Sequence, residues 1–135
     1  MKVLVTGATG FVGRHLVAAL LARGCEVRAV ARNAETAASM PWINAVEFIA
    51  ADIHAADLDI AKLTTGVDAL AHLAWPGLPN YQALFHFEHN LMADYRFIKG
   101  AVCSLSGPLC MPYSKQVPVT STCDTPASTA PLMNR

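Results

Sequence analysis

The stretch KVLVTGATGFVGRHLV, residues 2–17, decides the fold. Val3-Leu4-Val5 is a continuous apolar run ending at Thr6-Gly7, as expected of a strand buried on both faces. Beyond it, Val12, Leu16, Ala19 and Leu20 fall at i, i+4, i+7 and i+8, one stripe of a helix that Gly24 stops. Between strand and helix lies Gly7-Ala8-Thr9-Gly10-Phe11-Val12-Gly13, a G-x-x-G-x-x-G turn. Without Cβ atoms, Gly7 and Gly10 are expected to take strained backbone angles and to let a pyrophosphate approach the main chain, while Gly13 lets the helix pack closely on the strands. The helix N-terminus adds unpaired N–H groups and a partial positive charge. A glycine pattern alone is weak. Placed directly after a buried strand and before a helix, it makes dinucleotide binding the expectation.

Outward from this turn, strand and helix patterns alternate. Glu26 to Ala31, Val46 to Ala50 and Val67 to Leu73 read as strands two, three and four, with a short helix over Asp57 to Leu63. Leu84, Phe87, Leu91, Tyr95 and Ile98 then step by 3, 4, 4 and 3, an amphipathic helix closed by Lys99-Gly100. About four βα units result, an incomplete Rossmann-like, doubly wound parallel α/β sheet of strand order 3-2-1-4. This unit is expected to occupy residues 1–100. Residues 101–135 hold five of the eight prolines, three of the four cysteines and only Lys115, Asp124 and Arg135 as charges, so an irregular tail is expected there.

Ten Lys+Arg balance ten Asp+Glu, which disfavours a nucleic-acid surface. With 53% hydrophobic and 15% charged residues among 135, the chain should bury a core. Leu16 to Ala22, bracketed by Arg14 and Arg23, falls well short of a membrane span, and the first ten residues hold no signal-peptide core. The expected compartment is the cytosol. Cys25, Cys103, Cys110 and Cys123 form no C-x-x-C pair and read as free thiols, and no metal site is expected.

Further motifs stand in the same order as the strands. Asp52-Ile53 follows strand three, Val67-Asp68-Ala69-Leu70-Ala71-His72-Leu73-Ala74 spans strand four, and Asn90-Leu91 lies on the next helix. With the opening stretch, these resemble the N-terminal portion of the extended short-chain dehydrogenase/reductases, the NAD-dependent epimerases and dehydratases, over residues 2 to about 100. The resemblance implies cofactor contacts from Gly7, Thr9, Gly10, Phe11, Val12, Gly13, Asp52, Ile53, Leu73, Ala74 and Asn90, with Asp52-Ile53 beside the adenine ring. It also implies an oxidoreductase that acts, in full-length relatives, on a small molecule such as a nucleotide-sugar; with the charge balance and the short apolar runs above, no nucleic-acid or membrane partner is expected.

Charge refines the cofactor. The fold usually places an acid on the ribose 2′-OH at the end of strand two. Here that place holds Arg32, with Arg28 as a second candidate. A guanidinium pairs with a 2′-phosphate instead, so NADP is expected, with NAD as the alternative. Catalysis is less well provided. The family's Ser or Thr at the end of strand five precedes a Tyr-x-x-x-Lys pair, whose i, i+4 spacing lets the ammonium act on the phenol from one helix face. This chain has Tyr113-Ser114-Lys115, and Val119-Thr120-Ser121-Thr122-Cys123, which resembles a strand-five end, follows that tyrosine rather than preceding it. Ser121 and Thr122 are the candidate catalytic hydroxyls. A catalytically incomplete, truncated, frameshifted or naturally short chain is expected; the alternatives are a non-catalytic dinucleotide-sensing or interaction module and a poorly folding fragment. Elsewhere, His86 and His89 read as a helix face and His72 as structural, while Asp52, Asp57 and Asp59 with His54 could suggest a divalent ion but span a strand-to-helix turn where Asp commonly caps. Trp75 either stacks on a ligand or covers the core, and Trp42 packs.

Overall fold

The computed structural model describes residues 1–78 and 80–105, together with the backbone of a strand at 109–110. In chain order the elements are β1 (Lys2–Thr6), α1 (Phe11–Ala22), β2 (Glu26–Ala31), α2 (Ala34–Ala38), β3 (Glu47–Ala50), α3 (Ile60–Thr64), β4 (Ala69–His72), α4 (Leu91–Ser104) and β5 (Leu109–Cys110). A 3-10 turn at Ile43–Ala45 precedes β3, and a π-helical turn at His86–Asn90 runs directly into α4. Every strand pairing is parallel, in the order β3-β2-β1-β4-β5. The Rossmann-like order 3-2-1-4 is therefore present, with β5 added beside β4. Val119–Cys123, the expected strand-five end, lies outside the described residues. The expected domain end at residue 100 falls inside α4, which continues to Ser104.

Alternation along the strands builds two cores. Val3, Val5, Val27, Ala29, Ala69 and Ala71 face α1, with Trp42 sealing that layer. Leu4, Val30 and Leu70 face the opposite way, against Leu63 of α3 and against Phe97 and Ala101 of α4. Full burial of a side chain such as Leu4 or Phe97 contributes roughly 1.5–3 kcal/mol.

Two helices differ from their sequence reading in the face they bury. The stripe of α1 that meets the sheet is Gly13, Leu16, Val17, Leu20 and Leu21, whereas Val12 and Ala19 are exposed. Gly13 decides this. A Cβ there would collide with the Gly7 carbonyl oxygen, so the glycine edge of the helix is the edge that approaches the turn. Along α4 and the turn before it the reversal goes further, with only Ile98 of the expected stripe packed against the core. Asn90, Ala93, Asp94, Phe97 and Ala101 are buried, while Leu84, Phe87, Leu91 and Tyr95 of the predicted apolar stripe are exposed. Gly100 does not end this helix either; it lets α4 approach α3, where a Cβ would meet the Ile60 side chain at 2.9 Å. The short helix α2, which no apolar period announces, starts at Asn33, whose side chain accepts the Thr36 N–H at 2.9 Å.

Candidate functional site

The C-terminal ends of β1 to β4 open onto one crevice of about 200 Å³, lined by Gly7, Thr9, Gly10, Val30, Ala31, Arg32, Ala51, Asp52, Ile53, His54, Leu73, Ala74, Trp75 and Pro76. That is less than the roughly 300–1,000 Å³ of an enclosed ligand pocket, so a larger ligand would extend past these walls. In open parallel sheets ligands bind at this end, beside the strand where the winding direction changes. Here that strand is β1, flanked by β2 and β4.

The turn after β1 is built by three glycines with different tasks. Gly7 has φ +67°, and a Cβ on it would lie 2.8 Å from the Ala74 nitrogen. Only glycine fits there without strain. Gly13 is packed against Gly7 and Ala8. Gly10, by contrast, is exposed with φ −70° and ψ 172°, an extended conformation open to any residue. The expectation of strained angles at both Gly7 and Gly10 holds for Gly7 alone. As N-cap, Gly10 offers no side-chain acceptor, and the first turn of α1 contains no acid. Phe11, Val12 and Gly13 are the first helical residues, and their N–H groups have no intrahelical acceptor. They are donors in a first turn that carries no carboxylate of its own, which suits an anion.

Of the sequence-predicted cofactor residues, Gly7, Thr9, Gly10, Arg32, Asp52, Ile53, Leu73 and Ala74 meet in this crevice. Phe11 and Val12 stand exposed at the helix tip above it, and Gly13 lies buried behind the turn. Asn90 is also set back. Its Nδ2 donates to the Pro76 carbonyl at 2.9 Å and so holds the rim loop. Ser121, Thr122, Tyr113 and Lys115 lie outside the described residues.

Charge is unevenly distributed around the crevice. Arg32 is exposed on its β2 wall, with no hydrogen bond or ion pair among the described residues. Arg28 is no second contributor. It points from mid-β2 away from the crevice, and its Nη1 donates to the carbonyls of Leu63 at 2.6 Å and Thr65 at 2.9 Å. Its buried Nε lies 3.1 Å from Glu47 Oε1, within ion-pair distance but poorly aimed for a hydrogen bond. Glu47 also meets Lys2 Nζ at 2.7 Å. Lys2, and after it Arg28, hold the Glu47 carboxyl below its usual range, against a smaller opposing effect of burial.

Around the rim, Trp75 stacks on His86 with ring centroids 5.9 Å apart, and its Nε1 donates to His86 Nδ1 at 3.0 Å. His86 Nε2 in turn lies 2.8 Å from the Asn80 carbonyl oxygen, so it donates there and leaves Nδ1 as the acceptor. Trp75 thus covers neighbouring side chains while one edge lines the crevice. His54, named in the sequence only beside the turn aspartates, is a wall residue of the crevice, as are Val30, Ala31, Ala51 and Pro76, which carry no motif. It sits two positions after Asp52, whose Oδ1 accepts the His54 backbone N–H at 3.0 Å. Asp59 caps α3, as expected, by accepting the Lys62 N–H at 3.0 Å.

Comparison with known proteins agrees with this geometry. The chain is 31% identical over 99 residues to a dTDP-6-deoxy-L-talose 4-dehydrogenase (NAD(+)) of Aggregatibacter actinomycetemcomitans, covering 73% of this chain and 36% of that protein. An uncharacterised protein of Mycobacterium tuberculosis is 43% identical over 75 residues, covering 56% of this chain and 8% of the other. Among solved structures, MoeE5 in complex with UDP-glucuronic acid and NAD superposes with a TM-score of 0.65 at 28% identity, covering 82% of this chain and 36% of that one. A UDP-glucuronic acid 4-epimerase from Bacillus cereus in complex with NAD gives 0.63 at 28% identity, covering 82% of this chain and 38% of that one. The chain therefore spans little more than a third of the length of these relatives, or less. The model of the NAD dependent epimerase/dehydratase family matches residues 3–99, from β1 into α4, and the chain accordingly belongs to that family.

Proposed function

We propose that residues 1–100 form the NAD(P)-binding N-terminal portion of an epimerase-, dehydratase- or reductase-like oxidoreductase. The observation that carries this reading is the uncapped, acid-free start of α1, directly after the Gly7–Gly10 turn that lines the crevice. A pyrophosphate would rest on the N–H groups of Phe11, Val12 and Gly13, with Gly10 leaving room for its approach. Asp52 and Ile53 would flank the adenine, and Leu73 and Ala74 would line the way towards the nicotinamide. Asn90 would act at one remove, by fixing the rim through Pro76. Arg32 would pair with a 2′-phosphate, which makes NADP the preferred form. When bound, the dinucleotide would supply hydride transfer; these residues would supply orientation, and proton transfer would fall to other groups of a complete enzyme. MoeE5 and the Bacillus cereus epimerase point to a nucleotide-sugar as the substrate class of the whole enzyme.

Proton transfer is the missing part. Tyr113 and Lys115 stand at i and i+2, about 200° apart on any helix, so they would not act on one substrate atom together. Without a positioned base a factor of roughly 10²–10⁴ is lost. This spacing favours a second reading, a dinucleotide-sensing module without turnover. Calorimetric titration with NADPH and NADH tests the binding claim, and absence of affinity for both overturns it. NADPH consumption with nucleotide-sugar and simple carbonyl panels separates the two readings: none is expected from this chain, and measurable turnover contradicts its catalytic incompleteness.

A further inference from the structure

Beneath the crevice floor, a chain of hydrogen bonds joins its two walls. Thr6 and His72 are register partners on β1 and β4, which puts their side chains on the same face of the sheet, towards α4. Thr6 Oγ1 lies 2.8 Å from His72 Nδ1, and His72 Nε2 lies 3.1 Å from Asp94 Oδ1. The same carboxylate oxygen lies 2.7 Å from His54 Nε2. Thr6, His72 and Asp94 are all buried, and His54 is nearly so.

Donor and acceptor roles follow from the chemistry. An ionised Asp94 only accepts, so both imidazoles present Nε2–H to it. With His72 neutral, its Nδ1 accepts the Thr6 hydroxyl proton. The hydroxyl oxygen then accepts the N–H groups of Leu73 at 3.2 Å and Ala74 at 3.4 Å. At the other end the His54 backbone N–H donates to Asp52, and Arg96 Nη2 approaches the His54 carbonyl at 3.4 Å. No fully buried side-chain nitrogen or oxygen of Thr6, His72, Asp94 or His54 is left without a partner. Its two ends, Asp52 with His54 and Leu73 with Ala74, lie on opposite walls of the crevice, whereas Asp94 does not line it. A carboxylate is a costly filler for a space that Phe97 packs one turn away, unless it holds something in place through charge-assisted bonds.

We propose that Asp94 is a positioning residue, which sets the spacing of the crevice walls through His54 on the β3 side and through His72 and Thr6 on the β4 side. This rests on the dinucleotide reading for its purpose, but not for its test. The full chain, its variants H54A, H54Q and D94A, and wild type are compared by NADPH calorimetry and by amide hydrogen exchange without ligand. Glutamine carries an N–H donor near the place of His54 Nε2, so H54Q should bind NADPH within about twofold of wild type. H54A should lose about tenfold, the scale of one hydrogen bond to a charged group. Exchange should quicken over residues 52–54 in H54A, and in D94A also at Ala74, whose amide ends the path; the Leu73 N–H is shared with the Thr6 carbonyl at 3.2 Å and should change less. If D94A does not fold, the His54 pair decides. Equal affinities for H54A and wild type, or an H54Q as weak as H54A, overturn the proposal. If wild type binds neither NADPH nor NADH, the functional reading fails and hydrogen exchange alone judges the network: quicker exchange at these amides upholds it, unchanged exchange overturns it.

Discussion

Gly7, Gly10 and Gly13 occupy one turn, yet each is glycine for its own reason, and the differences are measurable. Gly7 needs a positive φ, Gly13 has no room for a Cβ against the Gly7 carbonyl, and Gly10 has ordinary angles with a Cβ position 3.1 Å from that same oxygen, a close but not blocked approach. Gly10→Val should therefore fold, at a cost of about 1 kcal/mol for the poorer cap, yet lower NADPH affinity at least tenfold by filling the approach to the helix tip. Calorimetry on the folded variant checks this; unchanged affinity removes the turn from the binding site. Arg32→Asp should invert a preference for NADPH over NADH, with about 1.5–3 kcal/mol lost for NADPH by removal of a charge-assisted bond. Equal binding of the two cofactors by wild type would end the 2′-phosphate assignment. Glu47 gives a pH prediction. Its carboxyl titrates below the usual range, so its contribution to stability is complete above the unfolded-state value and disappears as pH falls through the folded one. Glu47→Gln should thus cost less than about 1 kcal/mol near neutral pH, because the pair is half-exposed, and nothing once the medium is acidic enough to protonate Glu47. Urea unfolding across pH follows the difference.

Helix α4 shows why residue types were easier to read than faces. Its existence follows from apolar residues stepping by three and four, but two faces of this segment qualify. One is Leu84, Phe87, Leu91 and Tyr95; the other is Ala93, Phe97 and Ala101, with Asn90 and Asp94 among them. The first is more hydrophobic, yet the second faces the sheet. Small residues there let the helix come close, and the two polar ones find partners in Pro76, His54 and His72. Polar residues on a buried face look like solvent-facing ones until their partners are known, and these partners are distant in sequence. The strands and the glycine turn were legible because their signals are local: an unbroken apolar run, then glycines before a helix. For the same reason the eight crevice residues taken from motifs and from the end of strand two converge, whereas Asp94, which no motif marks, did not stand out, and His54 stood out only beside the turn aspartates. The orientation of α4 predicts that Phe97→Ala destabilises the fold by about 3–5 kcal/mol, since Phe97 is fully buried between sheet and helix. Chemical denaturation measures this, and a loss under 1 kcal/mol would mean the helix does not pack by that face.

At the scale of the whole molecule, the sheet is well covered but one flank is not. Leu84, Phe87, Leu91, Met92 and Tyr95 leave an apolar strip in solvent, larger than scattered exposed leucines would make. The folded chain should consequently bind a polarity-sensitive dye such as anilinonaphthalene sulfonate. Phe87→Glu with Leu91→Glu should reduce that signal severalfold, with a stability change within about 0.5 kcal/mol per exposed position. An unaltered signal would place the dye elsewhere. The opposite end of the sheet behaves differently. Asp68 Oδ2 accepts the Lys2 backbone N–H at 2.7 Å, the Lys2 carbonyl accepts the Asp68 N–H at 2.8 Å, and the Met1 carbonyl accepts the Glu26 N–H at 3.0 Å. Met1 is thereby moored between β2 and β4, a strand's length of about 16 Å from the crevice at 3.3 Å per residue. A fluorophore or biosensor tether fixed at Met1 would accordingly report from a rigid anchor, with the cofactor crevice facing outward from the support.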